Sequence, residues 1–157
     1  MKVFQLVILL LFSTFSLKAQ SPSNDQVSKM IAQLRQQAGE VSFVVKGKSY
    51  KLKASLIELA QHKGYAIMGG VLEGSTTLSM GVEKITSGSY PTNKLQSILT
   101  TSTGTYLISD GSIVIQVQGG KISGSFKGKI YEPDGKGKFS KTPSGDINGT
   151  FSGLSNP

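Results

Sequence analysis

Two periods of hydrophobicity run along the chain. Between Asp25 and Glu40 the apolar positions Val27, Met30, Ile31, Leu34 and Ala38 recur at i, i+3, i+4, i+7 and i+11. That spacing lines one face of a helix. Asp25 in the first turn and Arg35 in the last suit the helix dipole, and Gly39 stops the helix. From Val41 the period falls to two. "VSFVVKGKSYKLKA" predicts a hairpin turning at Lys46-Gly47-Lys48, with Tyr50, Leu52 and Ala54 on a buried face and Lys51 and Lys53 on a wet one. In "SLIELAQHKG" the step from Ser55 to Glu58 has capping-box spacing and Gly64 is a natural stop, so a short helix or helical turn is expected over 55–63, with a strand as the alternative. "YAIMGGVLEG" and "TTLSMGVEKI" predict two strands joined at Gly74-Ser75, and Pro91 marks an edge strand or crossing loop. Asp110-Gly111 lies between β-branched runs and predicts a hairpin; Gly119-Gly120 predicts the next. Pro133-Asp134-Gly135 and Ser144-Gly145 punctuate the end. The reading is a mainly β chain: an antiparallel sandwich or partly closed barrel of about eight to ten strands behind one N-terminal helix.

One octet occurs twice. "KISGSFKGKI", 121–130, and "DINGTFSGL", 146–154, both begin charged–Ile–small polar–Gly–hydroxyl–Phe–x–Gly. Alternate residues of a strand share a face. Ile122, Gly124, Phe126, Gly128 and Ile130 therefore point one way, and Ile147, Gly149, Phe151 and Gly153 do the same in the second copy. Glycine between bulky neighbours leaves room for a ring from the adjacent strand and lets the sheet bend. The two strands are expected in one sheet, with their rings over glycines or over each other. Two copies do not make a repeat protein.

Composition changes the picture at the N-terminus. "MK" followed by "VFQLVILLLFSTF" and "SLKAQ" has the charge, the apolar run and the small Ala19 of a secretory signal peptide cut after Ala19 or Gln20. The expected organisation is a signal peptide over 1–20, a helical segment over 21–40 and a β domain over 41–157. Losing Lys2 and Lys18 with the signal leaves 15 basic side chains against 9 acidic, a net charge of +6. The chain has no cysteine, so in an oxidising compartment its core must hold without disulfides. A lipoprotein anchor, which is built on a cysteine thiol, is excluded on the same ground, and secretion or periplasmic release with no stable membrane anchor is expected. A basic surface favours acidic polymers, anionic head groups or acidic proteins; the export signal argues against nucleic acid.

Candidate chemistry is sparse. His62 is the only histidine, so nucleophile–base pairs and transition-metal sites are poorly supplied, and no catalytic residue, metal or cofactor is expected. Carboxylate chemistry would need two of Glu58, Glu73, Glu83 and Glu132 to converge in a cleft. "EPDGKGK" has too few oxygen ligands for a calcium loop and reads as a turn. Gly47-Lys48-Ser49 lacks the leading glycine of a phosphate loop and joins two strands. The candidate ligand-binding patch is basic and aromatic: Lys127, Lys129, Tyr131, Lys136 and Lys138. The bland alternative for Lys127 and Lys129 is the wet face of an edge strand, where lysines guard against aggregation.

The strings "GSY", "TGTYLIS", "GSIVIQVQGGKISGSFKGKIY" and "GDINGTFSGL" resemble a family of small exported bacterial β-domains of unknown function, over about residues 41–154 and most closely from Gly104 onward. "KAQ" resembles the signal end of Bacteroidetes-type secreted proteins. Many such relatives look like lipoproteins; this chain departs by lacking the cysteine, so the resemblance implies release into periplasm or medium. It implies the β fold and no catalytic residue. The expected function is an exported, non-enzymatic domain binding an envelope component, a glycan or a protein. The alternatives are a lipocalin-like carrier with a cavity lined by residues such as Met68, Leu78, Met80 and Ile115, and a carboxylate hydrolase.

Overall fold

The computed structural model describes residues 39–59, 63–71 and 74–155, together with Asp25, Ser28 and Ala32. Nine strands follow in order: β1 (Gly39–Val45), β2 (Lys48–Leu59), β3 (Gly64–Gly69), β4 (Thr77–Val82), β5 (Gly88–Pro91), β6 (Ser97–Thr101), β7 (Gly104–Gln118), β8 (Lys121–Tyr131) and β9 (Gly145–Ser155). Every pairing is antiparallel, in the order β5-β7-β6-β4-β3-β2-β1-β9-β8, and β8 pairs back onto β7. That last pairing closes eight strands into a barrel, with β5 as an extra strand. β7 makes this possible by its length: 104–108 pair with β6, 112–115 with β5, and β8 runs along the other side of both halves. Pro91 ends β5, which pairs only with β7, so the missing donor falls where an edge tolerates it.

Inward positions form one continuous core. Val41, Phe43, Ala54, Leu56, Ile67, Leu78, Met80, Leu99, Ile108, Ile113, Ile115, Ile122, Phe126, Ile130, Ile147, Phe151 and Leu154 are all buried in it. The twin octets lie on neighbouring strands, β8 and β9, with Ile122, Phe126, Ile130, Ile147 and Phe151 inward as expected. Their rings and glycines interlock. A β-carbon on Gly149 would stand 2.6 Å from Phe126 Cζ, and one on Gly124 would stand 2.7 Å from Phe151 Cζ. Phe126 pairs with Gly149 and Gly124 with Phe151, so each ring lies over the glycine of the opposite copy.

Four expectations are corrected. Residues 55–59 are not helical but continue β2, paired with β3 from Ala54–Gly69 to Leu59–Gly64. Ser55, Leu56 and Ile57 are all buried, so this stretch is covered on both faces and loses the alternation that marks a strand. Asp110-Gly111 is not a hairpin. β7 runs straight through it, and the pair forms a bulge in which two residues face one on β8, between Ser109–Lys129 and Ser112–Lys127. Asp110 takes φ 51°, a conformation that serves a bulge as well as a turn. Gly153 does not extend the inward face either. At φ 71° it forms a second bulge, and Leu154 takes the inward place instead. Met68 points outward, away from the other three proposed cavity residues; with Ile57 and Ala66 it forms a separate small cluster. Of the expected N-terminal helix only Asp25, Ser28 and Ala32 are described, with helical backbone and exposed; the rest of that segment and the expected signal peptide over 1–20 lie outside the described residues.

Candidate binding surface

The outward positions of β2, β1, β9, β8 and β7 fall into two adjacent cross-strand rows. Lys51, Ser42, Thr150, Ser125 and Val114 stand side by side in one, and Ser49, Val44, Asn148, Lys127 and Ser112 in the other. Strands about 4.8 Å apart place β2 and β8 about 14 Å from each other across this wall. Where the rows cross β2, β1, β9 and β8 there is an open depression of about 460 Å³ lined by Ser42, Val44, Ser49, Ser125, Asn148 and Thr150 of the outer face and by Phe43, Tyr50, Phe126 and Gly149 of the core face. Its rim is built of hydroxyls and one amide, each able to donate and accept, around a Val44 side chain that is 40% exposed. Phe43, Tyr50 and Phe126 fill the barrel behind the wall, Phe43 stacked on Tyr50 at 5.0 Å and tilted against Phe126 at 6.5 Å.

The basic–aromatic patch expected from the sequence does not assemble as one surface. Lys127 and Lys129 are exposed on β8, but Lys129 Nζ is 2.5 Å from Asp146 Oδ1. Tyr131 is buried, and its hydroxyl donates to the Asp110 carboxylate, which raises the phenol's pKa; no ring face is left for stacking. Lys136 and Lys138 sit beyond the end of β8, where their backbone N–H groups donate to Asp134 Oδ1 at 2.8 and 3.0 Å. The Pro-Asp-Gly segment is the turn the sequence predicts, closed by a bridge between Pro133 and Phe139. Lys127 is the member that belongs to the wall, and among the described residues it makes no ion pair.

Charge also organises the barrel's ends. Lys46, on the β1–β2 turn, lies 2.5 Å from Glu132 and over the Tyr106 ring at 4.8 Å from its centroid. The hydrogen bond to Lys46 holds the Glu132 carboxyl below its usual range, and the same bond raises the Lys46 pKa. At the wall's margin, the Lys51 ammonium lowers the pKa of Glu40 in the same way, 2.9 Å away. The carboxylates considered for acid–base work do not gather: Glu58 in the last turn-side residues of β2 and Glu83 just after β4 lie at one end of the barrel, Glu132 follows β8 at the opposite end, and Glu73 and His62 lie outside the described residues. Among the described residues no group of three His, Asp or Glu side chains could hold a metal ion.

The polar wall was missed in the sequence because its rows join residues that only the β1–β9 pairing makes neighbours. The wet-face positions themselves follow from the two-residue period. No family model, no curated protein and no solved structure matches the chain.

Proposed function

We propose that the chain is an exported, non-catalytic binding module that holds a glycan of the cell envelope against the outer wall of β2, β1, β9 and β8. The observation that carries this reading is the depression rimmed by Ser42, Ser49, Ser125, Asn148 and Thr150 around exposed Val44. Hydroxyls and an amide match the donor–acceptor pattern of sugars, valine methyls suit the C–H face of a pyranose ring, and Lys127 at the margin favours acidic sugars over neutral ones. The same wall argues against a barrel that spans a lipid bilayer, whose outward face must be apolar. Here Ser125, Lys127, Lys129, Asn148 and Thr150 point outward and are exposed.

A carrier of an apolar ligand is the second reading, supported by the closed eight-stranded barrel. Leu78, Met80 and Ile115 do line the interior, but the Phe126 and Phe151 rings and the surrounding isoleucines occupy it.

A glycan array probed with the chain, with Thr150→Arg and Ser125→Arg variants beside it, tests the proposal. Selective binding of an envelope glycan that both variants lose supports it. Binding that both variants retain, or that vanishes in moderate salt without glycan selectivity, contradicts it.

A further inference from the structure

Within β7, Ser112–Gln118 reads SIVIQVQ: seven residues with no charge, no proline and no glycine, four of them β-branched. Segments of that kind pair readily with copies of themselves. Among the described residues the exposed large hydrophobic side chains are Val44, Val114 and Val117, and two of these three stand on this stretch. β8 takes one edge of it from end to end. The other edge is covered by β5, a strand of four residues that ends in proline and pairs with Ser112–Ile115.

β5 is clipped at both ends. Thr92, 1% exposed, donates its N–H to the Gly111 carbonyl at 3.1 Å and accepts the Gly111 N–H on Oγ1 at 3.0 Å. At the other end Ser87 Oγ accepts the Val117 N–H at 3.0 Å. That bond also fixes which way the edge points: the backbone groups of Val117 face β5, and by strand alternation so do those of Ile113 and Ile115. Pro91, opposite Ser112, therefore turns its missing donor towards the outer edge of β5, where proline blocks further pairing.

We infer that β5 is a guard strand, and that the edge of β7 beneath it is a docking site whose occupant, once β5 swings away, is the same stretch of a second copy of the chain. An antiparallel pair centred on Ile115 sets Ile113 opposite Val117 and Val114 opposite Gln116, with no like charges anywhere, so the edge is self-complementary about a two-fold axis. The backbone groups of residues 113, 115 and 117 meet those of 117, 115 and 113 across that axis. A foreign strand finds the same backbone groups, but a second copy brings the matching side chains by construction.

Ser87→Ala with Thr92→Val removes both clips and leaves β7 untouched. In sedimentation velocity over a concentration series, the parent is expected to stay monomeric and the clip variant to show a dimer that grows with concentration. Val114→Lys with Gln116→Lys, added to the clip variant at two exposed positions, sets lysines opposite each other across the pairing and should remove the dimer. Val114→Lys with Gln116→Glu sets opposite charges there and should keep it. The inference is overturned if the clip variant stays monomeric, if the parent dimerises as strongly, if the paired lysines leave the dimer in place, or if the lysine–glutamate pair abolishes it. Ser87→Ala alone, at an exposed position, must give the same dimer at higher concentration even where Thr92→Val impairs folding, and a monomer there overturns the inference too.

Discussion

Phe126 and Phe151 each occupy the space that a β-carbon on the facing strand would need. Gly149→Ala is therefore expected to destabilise by about 1–3 kcal/mol, since the new methyl meets Phe126 Cζ and the Ser42 carbonyl oxygen. Phe126→Ala should cost about 3–5 kcal/mol by opening a cavity. Paired with Phe126→Leu, Gly149→Ala should cost less than the sum of the two single losses, because the smaller side chain makes room. Urea unfolding of the four proteins measures this, and strict additivity would mean that ring and glycine do not share the space. Ionisable residues act at the same scale. Glu132, with its pKa lowered by Lys46, contributes stability that is present above its unfolded pKa and lost as the pH falls through the folded one. Unfolding followed between neutral pH and about pH 3 should show that limb shrink in Glu132→Gln.

At the scale of elements, two bulges shape the walls. Gly153 sits at φ 71°, where a β-carbon costs about 1–2 kcal/mol, so Gly153→Ala should lower the unfolding free energy read from a denaturant titration by that amount. Asp110 shapes the other bulge and holds the Tyr131 hydroxyl. Asp110→Asn keeps a residue tolerant of that backbone but removes the charge that opposes phenolate. Spectroscopic titration should then show the Tyr131 pKa fall towards the ordinary tyrosine value. An unmoved pKa would separate Tyr131 from Asp110. These elements also show where the sequence is readable. β1, the start of β2, β8 and β9 each bury one face, so their two-residue period is plain. Residues 55–59 are covered on both faces, and a doubly buried strand has the same run of apolar residues as a buried helix. Asp110-Gly111 carries a turn signal because a turn and a bulge need the same left-handed residue; only the strand on the other side decides between them. The pairing of β1 with β9 joins distant parts of the chain, which is why the wet-face serines and threonines could be assigned singly and not as a surface.

At the scale of the molecule, closure of β8 on β7 turns the inward face into a single core, while the outward face is polar over β9 and β8 and apolar at Ile57, Ala66 and Met68 on β2 and β3. The proposed recognition of a glycan on the wall goes with a filled interior, because an empty barrel would favour the carrier. The direct test is nuclear magnetic resonance on the chain, with and without a long-chain fatty acid. The account predicts nuclear Overhauser contacts from the Phe126 ring to the Gly149 α-protons and from the Phe151 ring to the Gly124 α-protons, with those α-protons shifted upfield by the rings, all unchanged by the fatty acid. Missing contacts, or resonances of both rings that move as the fatty acid is added, would contradict it.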